Sequence, residues 1–168
     1  MRRRLVLRAV AAALALGLVG LPGRARAESS LPALADLPAL ADLPALGRDI
    51  RASAQPLLVL YTTPGCPHCE QVRRHYLLPR LAAGELVRQV DITSRAPLID
   101  GQGRRTTERD FARAQGVGLT PVLVAMDAQG RVLAEPLVGS DSAGFYEGYL
   151  VAMLEAARRK LAAQPPLR

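Results

Sequence analysis

Gly65-Cys66-Pro67-His68-Cys69 holds both cysteines of the 168-residue chain, three positions apart. It lies between an apolar run, Pro56-Leu57-Leu58-Val59-Leu60-Tyr61, and a segment with helical character, Glu70 to Ala83. A short, continuous apolar run reads as a buried central strand. Thr62-Thr63-Pro64-Gly65 reads as the turn that leaves it. A strand that runs into Cys-x-x-Cys at a helix start is a redox arrangement. The first helical turn leaves backbone N–H groups unpaired, which favours an anion there. A thiolate in that place has a lowered pKa and is nucleophilic near neutral pH. The second cysteine, one turn on, is close enough to attack a mixed disulfide and release a substrate. Pro67 suits the helix start because its missing N–H needs no partner there. His68, when protonated, adds positive charge beside the thiolate.

Downstream, Pro79 removes one backbone bond from the helix and predicts a kink or break near Tyr76. Gly84 is its C-cap. Leu86 to Ile92 alternates and reads as a second strand, parallel to the first through the helical crossover. Thr93 to Arg105, with Pro97, Gly101 and Gly103, reads as a long polar loop. Its arginines 95, 104 and 105 fit a solvated connection, while its length fits a functional one. Thr107-Glu-Arg-Asp110 looks like a capping box that opens a helix, Glu108 to Gln115, closed by Gly116. Val117-Gly118-Leu119-Thr120-Pro121 leads into the β-rich run Val122 to Met126. A proline there is confined to a strand start or an edge. A Thr-Pro bond can be cis, which puts a backbone kink beside the thiolate. Asp127 to Gly130 is a turn, and Arg131 to Ala134 is expected to pair back as a hairpin strand. Gly139 ends the sheet region. Phe145 to Leu161 is a final amphipathic helix, with Phe145, Tyr149, Ala152 and Ala156 as its expected core face.

At the N-terminus, Met1-Arg2-Arg3-Arg4 is basic, Leu5 to Gly20 is apolar except for Arg8, and Ala25-Arg26-Ala27 is a small-x-small cleavage site. Residues 1–27 therefore read as a secretory signal peptide, and the protein as periplasmic. An uncleaved anchor is the alternative, against which the uninterrupted apolar stretch is short. The chain carries 22 basic and 15 acidic residues, a net charge of +7. Six of the arginines precede Glu28 and no acid does, so the exported chain is close to neutral, sixteen basic against fifteen acidic. The basicity belongs to the precursor and does not point to nucleic acid. About 140 exported residues suit one domain with one core. Two cysteines three apart exclude a disulfide-stapled scaffold, leaving a redox pair or a small structural loop. Leu31-Pro-Ala-Leu-Ala-Asp36 repeats as Leu37 to Asp42 and begins again at Leu43. Six residues are too few for a solenoid unit, and a proline every sixth residue opposes a continuous helix. Residues 28–42 read as a low-complexity tether, with a hydrophobic docking segment as the alternative. Asp42 serves as N-cap to a helix from Leu43 to Ser53. The folded domain is expected over 43–163, with a tail at 164–168.

The order helix, strand, Cys-x-x-Cys helix, strand, helix, Thr-Pro strand, strand, helix is that of the thioredoxin fold, an α/β class with a central mixed sheet of about four strands flanked by helices. Over about residues 43 to 160 the sequence resembles the exported bacterial thioredoxin-like proteins, through Cys66-Pro-His-Cys69 and Gly118-Leu-Thr120-Pro121. The resemblance implies that Cys66 is the attacking thiol, Cys69 the resolving thiol and Pro121 the cis-proline, and that the Thr120 backbone hydrogen-bonds an extended substrate segment. Two positions depart from thioredoxin. Gly65 replaces the tryptophan before the first cysteine, and Leu60 replaces the buried acid, leaving Glu70 or a water to take the resolving thiol's proton. The Pro67-His68 dipeptide is the one found in DsbA, the strong periplasmic oxidant, but the span from Gly84 to Val117 has no room for the helical insert of that family. Thr120 before the proline is more like the reducing and isomerising relatives. The layout looks closest to the small periplasmic thioredoxins of sulfur-oxidation and cytochrome c maturation systems.

The expected chemistry is thiol–disulfide exchange on protein substrates, as a reductase that a membrane thiol–disulfide electron donor re-reduces. Oxidation or isomerisation is the alternative direction. No cofactor is required and no nucleic-acid partner is expected. Two other classes stay open: a copper- or metal-binding module using Cys66, Cys69 and His68 or His75, since soft thiolates suit Cu(I), and a non-catalytic interaction protein that docks through the Leu-Pro-Ala repeat.

Overall fold

A computed structural model describes residues 36–141 and 143–164. The expected signal peptide, the first repeat copy up to residue 35 and the last four residues lie outside the described residues.

Helix α1, Leu43–Ser53, opens on Asp42, whose carboxylate accepts a hydrogen bond from the Ala45 N–H at 2.8 Å. Leu43, Leu46 and Ile50 recur at helical spacing and are buried. The apolar run forms β1, Leu57–Thr62, and all six of its residues are buried. Such a strand must be central. It pairs in parallel with β2, Val87–Asp91, and antiparallel with a strand at Val122–Met126. Because successive side chains of a strand point to opposite faces, β1 feeds two cores. Leu57, Val59 and Tyr61 pack with Leu43, Ile50 and Phe111, whereas Leu58 and Leu60 pack with Val72, Leu150 and Leu154.

The active-site helix does break around Tyr76. It runs as α2, Pro67–Val72, then as a π-helical turn, Arg73–Leu77, and ends as α3, Leu78–Ala82. Pro79 has no N–H to give, and the wider turn before it absorbs the mismatch.

The segment read as a loop over residues 93–105 contains part of a small hairpin, β3 at Pro97–Ile99 and β4 at Arg105–Thr107. Asp100 holds its turn: the carboxylate accepts from the N–H groups of Gln102 and Arg104, both at 2.9 Å, and from Arg104 Nε at 2.8 Å. Three-residue strands are too short to show a periodicity. Thr107 then caps α4, Glu108–Ala114, accepting from the Asp110 N–H at 3.2 Å.

After β5, Val122–Met126, the return strand departs from expectation. Arg131 to Ala134 contributes only an isolated bridge, Met126 with Val132. The ladder resumes two residues out of step as β6, Leu137–Val138, paired with Leu123 and Val122. Asp127 shapes the turn: its carboxylate, 1% exposed, gathers the N–H groups of Gln129 and Arg131 and the Arg131 guanidinium. The Asp127 N–H donates to the Arg131 carbonyl at 3.1 Å and the Leu133 N–H to the Ala125 carbonyl at 2.8 Å, so the hairpin pairs as far as Leu133. Beyond it, Pro136 has no N–H to give the ladder. The four-stranded sheet has the order β2-β1-β5-β6.

Helix α5, Tyr146–Ala162, buries Tyr146, Leu150, Met153, Leu154 and Ala157. The expected face of Phe145, Tyr149, Ala152 and Ala156 is the other one: Phe145 and Tyr149 are 66% and 63% exposed. Two apolar stripes compete on this helix. The one richer in Leu and Met wins the core, and the expected face lines an open groove of about 670 Å³ against β6.

The second repeat copy is no tether. Leu37 and Leu40 are 3% and 1% exposed and enter opposite cores. The Leu40 N–H donates to the Gln89 carbonyl at 2.9 Å, and the Gln89 N–H donates to the Pro38 carbonyl at 3.0 Å. The Ile99 N–H donates to the Ala41 carbonyl at 2.8 Å. Residues 37–42 thus line the open edge of β2, which would otherwise present unpaired backbone groups. The packed chain thus extends at least six residues N-terminal of the boundary expected at 43.

Candidate active site

The end of β1 delivers Thr62 and Thr63. A glycine at φ +70, Gly65, then turns the chain into α2. That left-handed conformation suits glycine and disfavours a tryptophan. Cys66 has extended backbone angles and caps the helix through its own sulfur, which accepts from the Cys69 N–H at 3.1 Å. Cys66 and Cys69 form a disulfide, S–S 2.06 Å. They are unequal. Cys66 is half-buried at the surface, and Cys69 is 1% exposed. An incoming nucleophile or substrate sulfur therefore meets Cys66 first. Pro67 is the first helical residue.

The antiparallel register, Tyr61 opposite Val122, carries the Thr120–Pro121 segment to the end of β1 where Cys66 begins. The Thr120–Pro121 peptide bond is cis. The Thr120 hydroxyl is 3.8 Å from Cys66 Sγ and 3.4 Å from the Thr63 hydroxyl. Cys66, Cys69, Pro67, Thr120 and Pro121 are thus brought to one place.

His68 is exposed on the first turn, and its Nδ1 lies 2.9 Å from the Ser140 hydroxyl, in the turn that follows β6. The same turn is fastened further along the helix. Gln71 Nε2 donates to the Asp141 carbonyl at 3.1 Å, and the Tyr76 hydroxyl donates to the Asp141 carboxylate at 2.6 Å. The Tyr76 bond, with help from the amides of Gly144, Ala143 and Phe145, holds the Asp141 carboxyl below the usual carboxylate range despite its partial desolvation. The same carboxylate pushes the Tyr76 phenol above its ordinary value. Ser140, Asp141 and Thr63 were missed from the sequence. Ser140 lies 72 residues from His68 and belongs to no motif.

Neither position considered for the resolving thiol's proton holds a free base. Leu60 is fully buried among apolar side chains. Glu70 is held by the guanidinium groups of Arg73 and Arg74. Its carboxyl lies below the ordinary range, mainly through the Arg74 bond, with Arg73 adding to it against partial desolvation. Arg73 also reaches Gln89 Oε1 at 3.1 Å, the Thr62 hydroxyl at 3.4 Å and the Asp36 carboxylate at 2.9 Å, joining the active-site helix to the sheet and to the repeat. His75 is exposed on the π-helical turn, with its ring 6.4 Å from that of Tyr76. Among the described residues no three His, Cys, Asp or Glu side chains are grouped to hold a metal ion.

Several solved structures are similar to the chain at low identity. The C-terminal domain of DsbD from Neisseria meningitidis, in the oxidised form, is 17% identical, covers 68% of this chain and 98% of its own, and gives a TM-score of 0.48. A thioredoxin-fold protein from Helicobacter pylori is 17% identical over 66% of this chain and 82% of its own, at 0.47. Mitochondrial thioredoxin 3 from Saccharomyces cerevisiae is 15% identical over 67% and 92%, at 0.45. A search of curated protein sequences returns no match. The decisive finding is a family model, described as a thioredoxin-like domain, that matches residues 47–153. The match spans more than half of the chain and contains both cysteines: the chain belongs to the thioredoxin-like domain family, and its chemistry is that of a thiol–disulfide oxidoreductase.

Proposed function

We propose that the protein works in the periplasm and reduces disulfides of protein substrates through the Cys66–Cys69 dithiol. The observation that carries this is the inequality of the two sulfurs, one at the surface beside Thr120 and one buried behind it. In the reducing direction the Cys66 thiolate attacks one sulfur of a substrate disulfide. A mixed disulfide forms, and the other substrate sulfur leaves as a thiolate. The Cys69 thiolate then attacks Cys66 Sγ, and the second substrate thiolate leaves. Two electrons pass to the substrate, and the pair ends as the disulfide. A membrane thiol–disulfide donor restores the dithiol by the same exchange run backwards. Thr120, next to Cys66 at the start of β5, offers its backbone to an extended substrate segment in the manner of an added strand. The export signal read in residues 1–27 supports the location, and Thr120 supports the reducing direction.

Insulin reduction by the wild type and by Cys66→Ser tests the reading. Activity is expected in the first and not in the second; equal rates refute it. His68 between the cysteines favours a second reading, dithiol oxidation. The equilibrium of the pair with glutathione separates the two, because a potential near −270 mV marks a thioredoxin-like reductant and one near −120 mV a DsbA-like oxidant.

A further inference from the structure

We propose that the groove between β6 and α5 is a second contact for the protein substrate, and that it takes an extended apolar segment flanking the cysteine that Cys66 attacks. The inference rests on the disulfide reduction proposed above and names the class of substrate the site prefers.

The two edges of the sheet differ. Residues 37–42 line the edge of β2, whereas β6 ends the sheet on the other side. The Gly139 N–H donates to the Pro121 carbonyl at 2.9 Å, and Val138 stands opposite Val122. Val138 therefore occupies a non-hydrogen-bonded position of the ladder, and its own N–H and C=O point away from β5 to the outer edge. Beside that edge α5 presents Phe145 and Tyr149. The small side chains of Ala152 and Ala156 leave the groove of about 670 Å³ open between helix and strand. Scattered exposed hydrophobes need no explanation, but a cluster does. Among the described residues five large hydrophobic side chains are exposed: Val138, Phe145 and Tyr149 line this groove, and Leu119 adjoins Thr120.

The occupant follows from what the groove is continuous with. Its wall reaches Pro121 through Gly139, and the Thr120 hydroxyl is 3.8 Å from Cys66 Sγ. Ser140, on the same wall, bonds His68 at 2.9 Å, and the clamp of Gln71 and Tyr76 on Asp141 fastens that wall to the active-site helix. Groove and attacking sulfur thus share one surface, and a protein whose disulfide reaches Cys66 lies beside both. Six extended residues reach about 20 Å, whereas neighbouring strands are about 5 Å apart. A substrate segment that leaves Thr120 has the length to pass Val138, whose outward backbone groups suit an added strand, and to set side chains against Phe145 and Tyr149. No lysine, arginine or histidine lines the groove, and its carboxylates are Glu135 and Asp141, the latter taken by Tyr76. Apolar side chains fit such a lining and acidic ones do not.

The test uses two synthetic peptides, each with one cysteine in a mixed disulfide with thionitrobenzoate. One has leucines and phenylalanines on both sides of the cysteine, the other serines and glycines. The Cys66 thiolate of the pre-reduced protein attacks the peptide sulfur and thionitrobenzoate leaves as a coloured thiolate; Cys69 then displaces the peptide thiolate. Release is followed against peptide concentration. Wild type is expected to half-saturate with the apolar peptide at about a tenfold lower concentration, the effect of covering one apolar side chain, at a similar limiting rate, as remote binding requires. The double variant Phe145→Ser, Tyr149→Ser, at two exposed positions, should lose the preference, and Phe145→Leu, Tyr149→Leu should keep most of it. Equal half-saturation by the two peptides, or a preference that survives in the folded serine variant, overturns this inference alone. So does a wild-type dimer that the serine variant dissolves, since the groove then belongs to a second copy. If the wild type releases thionitrobenzoate from neither peptide, the proposed function falls as well.

Discussion

Leu40→Ala is expected to cost a large part of the domain's stability, although Leu40 sits in a repeat that looks like a linker. Its side chain is 1% exposed and packs with Leu43, Leu98 and Phe111. Buried Leu→Ala substitutions cost about 2–5 kcal/mol, the lower values where the surroundings can collapse. Leu40 lies at the edge of a sheet, where collapse is easier, so about 2–3 kcal/mol is appropriate. Leu37→Ala should cost a similar amount, because Leu37 is 3% exposed in the opposite core. The two sites share no core cluster, so their effects should add, giving about 4–6 kcal/mol out of the 5–15 kcal/mol typical of a domain. Urea unfolding reads this directly. With a slope of about 1.5 kcal/mol/M, each single substitution moves the midpoint down by roughly 1.3–2 M. Ala39→Ser, between them and exposed, should stay within about 0.5 kcal/mol of wild type. A Leu40→Ala midpoint as close to wild type as that of Ala39→Ser refutes the reasoning and makes the segment a tether after all.

Gly101→Ala should destabilise by about 1–3 kcal/mol or more, since a Cβ there would lie 2.2 Å from the Gln129 backbone, which has no flexible end to yield. Gly118→Ala, with open space around it, should leave the melting temperature nearly unchanged, and equal melting of the two variants contradicts the packing. Arg73→Met keeps the buried stem but loses the bonds to Gln89, Thr62, Glu70 and Asp36. It should lower stability by about 1–3 kcal/mol in urea unfolding. The Glu70 carboxyl should remain below its ordinary range in that variant, because the Arg74 bond is the larger cause, and a carbon-detected NMR titration that returns it to the ordinary value counts against this. Asp141 has a folded pKa below its unfolded one. Its contribution is therefore full above about pH 4 and fades as the pH falls through the folded value. Asp141→Asn should flatten the acid limb of the stability profile, and an unchanged acid limb disproves the clamp's electrostatic part.

The central half of the fold was legible because its signals are local. A six-residue apolar run bounded by turn residues is too short for a helix and fits a buried strand, Cys-x-x-Cys with Pro67 marks a helix start, and Pro79 forces a break that the π-helical turn shows. What escaped was decided by competition between distant groups. Residues 37–42 look like low complexity, yet the bare edge of β2 offers them Gln89 to bond, and Leu37 and Leu40 fall on opposite sides of it. The return strand after β5 slips only beyond Leu133, where Pro136 has no N–H to give the ladder. On α5, two apolar stripes satisfy the same helical period, so the sequence does not say that Leu150 and Leu154 face the sheet while Phe145 and Tyr149 stay exposed. The cysteines and Thr120–Pro121 were readable as motifs, whereas Ser140 became visible only when its turn was seen to lie against His68.

The chemistry of this site is shaped by where charge is absent as much as by where it is present. Leu60 fills the core behind the cysteines with apolar surface. Glu70, the nearest carboxylate along the helix, is committed to two guanidinium groups and held in its charged, weakly basic form. Neither offers a free base behind Cys69. Cys66 is placed oppositely: its sulfur accepts the Cys69 N–H and has the Thr120 hydroxyl at 3.8 Å. Polar groups thus gather on the outer sulfur, and the inner one is buried. Such a division separates the two steps of exchange. The outer sulfur is the one that an incoming sulfur can meet first, and the inner one is reached only from within the fold.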